Sequence, residues 1–201
     1  MKVVRWTAWI AVLLVAAATL YLLVSGQFRD ELLGTRDGGG IASVGGPFTL
    51  VDTRGATVTE KDFLGKPTAY FFGFTHCPDV CPTTLYEMTT WLAELGADAD
   101  RLNVVFVSVD PARDTPDALA EYMSAFDERM IGLTGSQEQI DAIAKAFRVY
   151  VRKVEQDGGY TLDHTATVYL MDATGRFVGT IAYGESDEMA LGKLKRLIGD
   201  G

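Results

Sequence analysis

Two short stretches in the middle of this chain are apolar almost without interruption, Thr68 to Phe74 (TAYFFGF) and Val104 to Val109 (VVFVSV), and each is followed by a helical pattern. A strand with one wet face alternates apolar and polar residues, whereas an unbroken run implies cover on both faces. The two runs are therefore expected at the centre of an α/β sheet. After the first, Leu85, Met88, Leu92 and Leu95 recur at three- and four-residue spacing, and Gly96 closes the helix. After the second, Asp114-Thr115-Pro116 reads as a helix start, with Leu119, Tyr122, Met123 and Phe126 as the inner face.

The remaining pattern completes an architecture. Pro47 to Asp52 and Thr57 to Thr59, separated by Arg54-Gly55, read as a short hairpin. Ile140, Ile143, Ala144 and Phe147 mark another helix. Thr167 to Met171, the turn Asp172 to Gly175 and Phe177 to Ala182 form a second hairpin, and Leu191, Leu194 and Leu197 give a closing helix. Alternating βαβ units followed by a hairpin and a helix describe a thioredoxin-like α/β fold: a central mixed β-sheet flanked by helices, with an N-terminal β-hairpin. Met88 and Met123 fall on inner helix faces and read as core. With 48% apolar and 22% charged residues overall, the chain can build a core without covalent help. The two cysteines are therefore read as chemical.

Ahead of the domain, Trp6 to Val24 (WTAWIAVLLVAAATLYLLV) would extend roughly 28 Å as a helix, the thickness of a bilayer's hydrocarbon layer. Lys2 and Arg5 precede it, while Arg29, Asp30 and Glu31 after it are mixed in sign, so the positive-inside bias keeps the N-terminus in the cytoplasm. A cleaved signal peptide is the competing reading, with Ala16 to Ala18 resembling a cleavage site, but the apolar run continues through Leu20 to Val24. The expectation is a cytoplasmic N-terminus at 1–5, a single transmembrane anchor at 6–24 and a flexible linker at 25–46 containing Gly38-Gly39-Gly40. The folded domain at 47–201 then lies in the periplasm or otherwise outside the cytoplasm, held at a bacterial inner membrane. The formal charge of −9 grows more negative once Lys2 and Arg5 are set aside, and no cationic cluster appears, which argues against nucleic-acid binding.

Cys77-Pro78-Asp79-Val80-Cys81 lies directly after the first buried strand and before the first helix, at the sheet edge where α/β folds place their chemistry. Pro82 fits a first helical turn, so Cys81 borders a helix N-terminus that favours thiolate over thiol. Four residues at 3.6 per turn bring both sulfurs to nearly one azimuth. Two thiolates favour Cu(I), zinc or iron-sulfur clusters, yet complete none of them, so a third ligand is expected. Of the two histidines, His76 adjoins Cys77 and points to the opposite face of an extended segment. His164, in the loop before the Thr167 strand, is the better candidate. A disulfide between Cys77 and Cys81 would close too short a loop to stabilise much.

Gly73-Phe74-Thr75-His76-Cys77-Pro78-Asp79-Val80-Cys81-Pro82 resembles the metal-binding signature of the Sco/SenC copper proteins. So do Gly46 to Leu50, Ser108 to Pro111, Arg113 to Pro116 and Asp163-His164-Thr165, in the same order. The resemblance implies copper, as Cu(I) and also as Cu(II), held by Cys77, Cys81 and His164. It implies a role in assembling the dinuclear copper centre of cytochrome c oxidase subunit II, or of another copper or thiol acceptor. An upstream donor is implied without being identified. The alternative is a membrane-anchored thiol-disulfide reductase, in which Cys77 attacks a partner disulfide, Cys81 resolves the intermediate, and His164 has no evident task. A thiol peroxidase would want an arginine beside a single reactive cysteine, which the sequence does not identify. Asp110, Arg113 and Asp114 read most economically as the turn and cap of the following helix.

Overall fold

Every residue of the strand Thr68–Gly73 is buried, as its unbroken apolar sequence requires. The computed structural model describes residues 44–199 and a few isolated residues between Trp9 and Tyr21. The chain divides into two units, Met1–Ala42 and Ser43–Gly201. In the first, Trp9, Val12, Leu14, Val15 and Tyr21 are helical and exposed. Among the described residues no helix is long and apolar enough to cross a membrane, and most of the expected anchor at 6–24 and linker at 25–46 lies outside them.

The second unit opens with β1 (Thr49–Asp52) and β2 (Thr57–Thr59), the expected N-terminal hairpin. Then come β3 (Thr68–Gly73), α1 (Val80–Leu95), β4 (Asn103–Ser108), α2 (Pro116–Met123), β5 (Met130–Thr134) and α3 (Gln137–Phe147). The chain continues through β6 (Val151–Gln156), β7 (Gly159–His164), β8 (Thr167–Met171), β9 (Phe177–Ala182) and α4 (Asp187–Gly199). Seven strands form one mixed sheet in the order β2-β1-β5-β4-β3-β8-β9, with β3 parallel to β4 and antiparallel to β8. Strands β6 and β7 form a separate two-stranded sheet.

The expected central pair is central, and its helices form for the reasons the sequence offers. Gly96 closes α1 at φ 56°, and α2 begins with Pro116 behind an N-cap Thr115 whose side chain accepts from the Ala118 N–H. Met88, Trp91 and Leu92 of α1 and Leu194 of α4 pack on Ala69 and Val104 on one sheet face. Phe147 of α3 packs on Tyr70 and Phe72 on the other, with ring centroids 5.0 and 5.2 Å apart. Each such side chain contributes about 1.5–3 kcal/mol by leaving water.

Two expectations need correction, and one strand, β5, which the sequence reading lacks, separates β4 from β1. Phe126 lies beyond the end of α2, which stops at Met123. His164 is the last residue of β7 rather than part of a loop, because 151–164 pair as a hairpin.

Candidate metal centre

β3 and β4 end side by side, with Gly73 opposite Ser108, and the chain leaves both strands at the same edge. From β3 it turns through Thr75 and His76, the Cys77 N–H donating to the Phe74 carbonyl at 3.2 Å, and enters α1 at Val80. Cys81 lies in the first helical turn, fully buried, while Cys77 is half-buried. Gly73 makes this approach sterically feasible. A Cβ there would stand 2.8 Å from both Cys81 Sγ and Phe106 Cε2.

The turn is latched from below by Asp114, which is completely buried. Its carboxylate accepts from the Thr75 N–H at 3.0 Å, the Thr75 hydroxyl at 2.6 Å and the Ser108 hydroxyl at 2.5 Å. Asp110 and Arg113 do form the expected turn, through the Arg113 and Asp114 N–H groups donating to the Asp110 carbonyl. The helix cap, however, is Thr115, and the carboxylates of Asp110 and Asp114 reach elsewhere.

His164 arrives from β7. Its Nε2 is 3.3 Å from Cys81 Sγ, and its Nδ1 faces the Thr165 carbonyl at 3.2 Å. An Nδ1–H donated to that carbonyl leaves the Nε2 lone pair toward the sulfurs. The edges of Phe71 and Phe74 fix the ring, at centroid distances of 6.3 and 5.7 Å. Cys77, Cys81 and His164 thus offer two sulfurs and a nitrogen that all lie within 4.8 Å of one another. His76 stands apart: its Nδ1 is 2.9 Å from the Thr75 hydroxyl and its side chain is mostly exposed.

The two thiols are unequal. The Cys77 sulfur accepts from the Cys81 thiol, and further from the backbone N–H groups of Cys81 and Asp79, which lowers its pKa to about 4 against the opposing effect of burial. Cys81 is pushed far upward, because its proton is shared with the Cys77 sulfur and because it is buried. One thiolate and one thiol therefore face the imidazole at neutral pH. This donor set fits a soft, thiophilic cation and contains no carboxylate for a hard one.

The model of the SCO1/SenC family matches residues 36–199. The chain belongs to the SCO1/SenC family. It is 41% identical over 177 residues to protein SenC of Rhodobacter capsulatus, covering 85% of this chain and 79% of that relative. To the mitochondrial protein SCO2 of Saccharomyces cerevisiae it is 39% identical over 204 residues, covering 96% of this chain and 67% of the relative. The structure of Bradyrhizobium japonicum ScoI with copper bound is similar at a TM-score of 0.73 and 49% identity, over 77% of this chain and 99% of that one. Its SCO1/SenC fold is thus the thioredoxin-like arrangement read from the sequence.

What sequence reasoning missed around this SCO1/SenC site is Tyr160, whose hydroxyl donates to Asp110 at 2.7 Å from 50 residues away. No local pattern signals such a partner.

Proposed function

We propose that this chain is a copper metallochaperone that binds copper through Cys77, Cys81 and His164 and assists assembly of the dinuclear copper centre of cytochrome c oxidase. The observation that carries this reading is the convergence of two sulfurs and one imidazole, from elements 83 residues apart, with Cys81 Sγ and His164 Nε2 at 3.3 Å. Membership of a family linked to oxidase assembly, and a similar bacterial structure holding copper, supply the cargo and the context. Subunit II is the acceptor that the resemblance implies.

Three donors leave a Cu(I) ion one position short of a closed tetrahedral shell, so an acceptor thiolate or imidazole can enter before a donor leaves. Cys77 contributes an existing thiolate, Cys81 must give up its proton on loading, and His164 contributes a neutral nitrogen. In its full setting the domain, residues 47–201, works outside a bacterial inner membrane. Segment 6–24 is its anchor and 25–46 its tether, a reading supported by the length of the apolar run and the cations ahead of it.

A second reading, thiol-disulfide reductase, is favoured by the inequality of the thiols. The Cys77 thiolate would attack a partner disulfide and release one partner thiolate. The Cys81 sulfur, after losing its proton, would then displace the other and leave a Cys77–Cys81 disulfide. Anaerobic Cu(I) titration of the reduced chain separates the two. The metallochaperone reading requires tight 1:1 binding that weakens in His164→Ala and collapses in Cys81→Ser. Reduction of a model disulfide, unaffected by His164→Ala, alongside unaltered copper binding in that variant, would favour the reductase.

A further inference from the structure

The hairpin that carries His164 is an appendage. It pairs with no strand of the main sheet, and an isolated two-stranded hairpin is marginally stable in water. In its register Val151 faces His164, Lys153 faces Leu162 and Glu155 faces Tyr160. Tyr160, Leu162 and His164 therefore share one face of β7, since side chains two apart lie on the same side. Leu162 and Val151 pack on the main core, but only partly buried. What else fastens this face determines how often the imidazole stands at the sulfurs.

The fastening converges on the Asp110–Asp114 turn. Arg113 Nη1 donates to the Tyr160 carbonyl at 3.0 Å, and its guanidinium carbon stands 3.9 Å from the centroid of the Tyr160 ring. The Tyr160 hydroxyl donates to Asp110 Oδ1 at 2.7 Å, while Arg113 Nε donates to the other oxygen of the same carboxylate at 2.5 Å. The Lys153 ammonium adds a second cation 4.2 Å from the ring centroid. A planar guanidinium can stack on a ring and hold a carboxylate at once, which a lysine at this position could not. Arg113 also lies beside the Phe74 ring, whose edge meets His164. One five-residue turn thus latches the cysteine loop through Asp114 and the histidine hairpin through Arg113 and Asp110.

We propose that Arg113 and Tyr160 are positioning residues for copper capture: with Asp110 they clamp the β6–β7 hairpin so that His164 is presented to Cys77 and Cys81 before the ion arrives. Opening the clamp withdraws the imidazole and leaves a two-sulfur site, from which copper passes on more readily. The proposal rests on the copper reading of the same site. Tyr160 lies roughly 13 Å along the strand from His164, so it acts through the hairpin and not on the ion. If the imidazole is presented for only a fraction of the time, the apparent dissociation constant rises by the inverse of that fraction.

The test uses Tyr160→Phe, which keeps the ring and deletes the bond to Asp110, and Arg113→Gln, which deletes the stacked cation. In the metal-free reduced chain, amide hydrogen exchange across β6 and β7 is expected to accelerate about ten-fold in Arg113→Gln and less in Tyr160→Phe, with β3 and β4 unchanged. Cu(I) affinity is expected to fall about ten-fold in Arg113→Gln, about 1.4 kcal/mol. Placed on a His164→Ala background, neither substitution should weaken copper further, because the group they position is gone. Unchanged hairpin exchange in both variants, or an equal loss of affinity with and without His164, would overturn the proposal. Cu(I) affinity unaltered by His164→Ala alone would instead retire the ligand reading and with it the clamp's role in capture, even where hairpin exchange had accelerated.

Discussion

Cys81 is fully buried and Cys77 half-buried in the segment that joins the six buried residues of β3 to the packed face of α1, whereas His164 ends a two-stranded sheet in which no residue is fully buried. The sulfur half is fixed by the sheet itself, by the close approach at Gly73 and by the Asp114 latch. The imidazole half is held by a few side chains. On the proposed copper reading, affinity and mobility fall to different structures: a pair of thiols set by the sheet and α1, and an arm whose engagement can vary without disturbing the core.

That contrast can be broken by substitution. The largest effect is expected from Cys81→Ser, with Cu(I) affinity falling by more than about 100-fold, beyond the 10–100-fold typical of outer-shell changes. In a chelator competition, a loss no larger than that of His164→Ala would show that the halves are not so divided. Asp114→Asn comes next. It leaves the Thr75 and Ser108 donors short of a buried charged acceptor and should lower the unfolding free energy by about 2–3 kcal/mol, read from urea midpoints. Gly73→Ala should cost about 1–3 kcal/mol by overpacking against Cys81 and Phe106.

A gentler probe is pH. Because the folded-state pKa of Cys77 is depressed to about 4, its thiolate stabilises the reduced, metal-free chain most fully above the unfolded value of about 8.5 and loses that contribution as pH falls through about 4. Cys81 is raised, so its opposing effect begins only above about pH 8.5. Stability linked to the pair should therefore rise between those limits, and Cys77→Ala should abolish that slope in unfolding experiments. Smallest of all, Arg152→Gln removes an exposed ion pair with Asp163 on the outer face of the hairpin and should leave the urea midpoint unmoved.

The two halves also differed in how far they could be read from residues alone. β3, β4 and α1 announce themselves because burial on both faces, or on one helical stripe, writes itself into the spacing of apolar residues. The cysteines follow from their place at the end of that pattern. β6 and β7 (VRKVEQ and GYTLDH) carry charges and a glycine without a clean period, since a half-exposed hairpin imposes little selection on its outer positions. From the sequence alone, His164 accordingly reads as a loop residue. Strand β5 is hidden by Gly132, which interrupts its apolar pattern and where a Cβ would crowd Met123, Thr53 and Leu119 at 3.0–3.2 Å. Asp110 and Asp114 look like turn residues because a turn is their only local role, and their carboxylates find Tyr160 and Thr75 at 50 and 39 residues' distance.

X-ray absorption at the copper edge, on the Cu(I)-loaded chain and its His164→Ala variant, bears most directly on the claim that an appended imidazole completes a preformed pair of sulfurs. The expected result is a shell of two sulfurs and one nitrogen in the native chain, with the nitrogen lost and both sulfurs kept in the variant. A nitrogen that persists in the variant, or a native shell of sulfur alone, would contradict it.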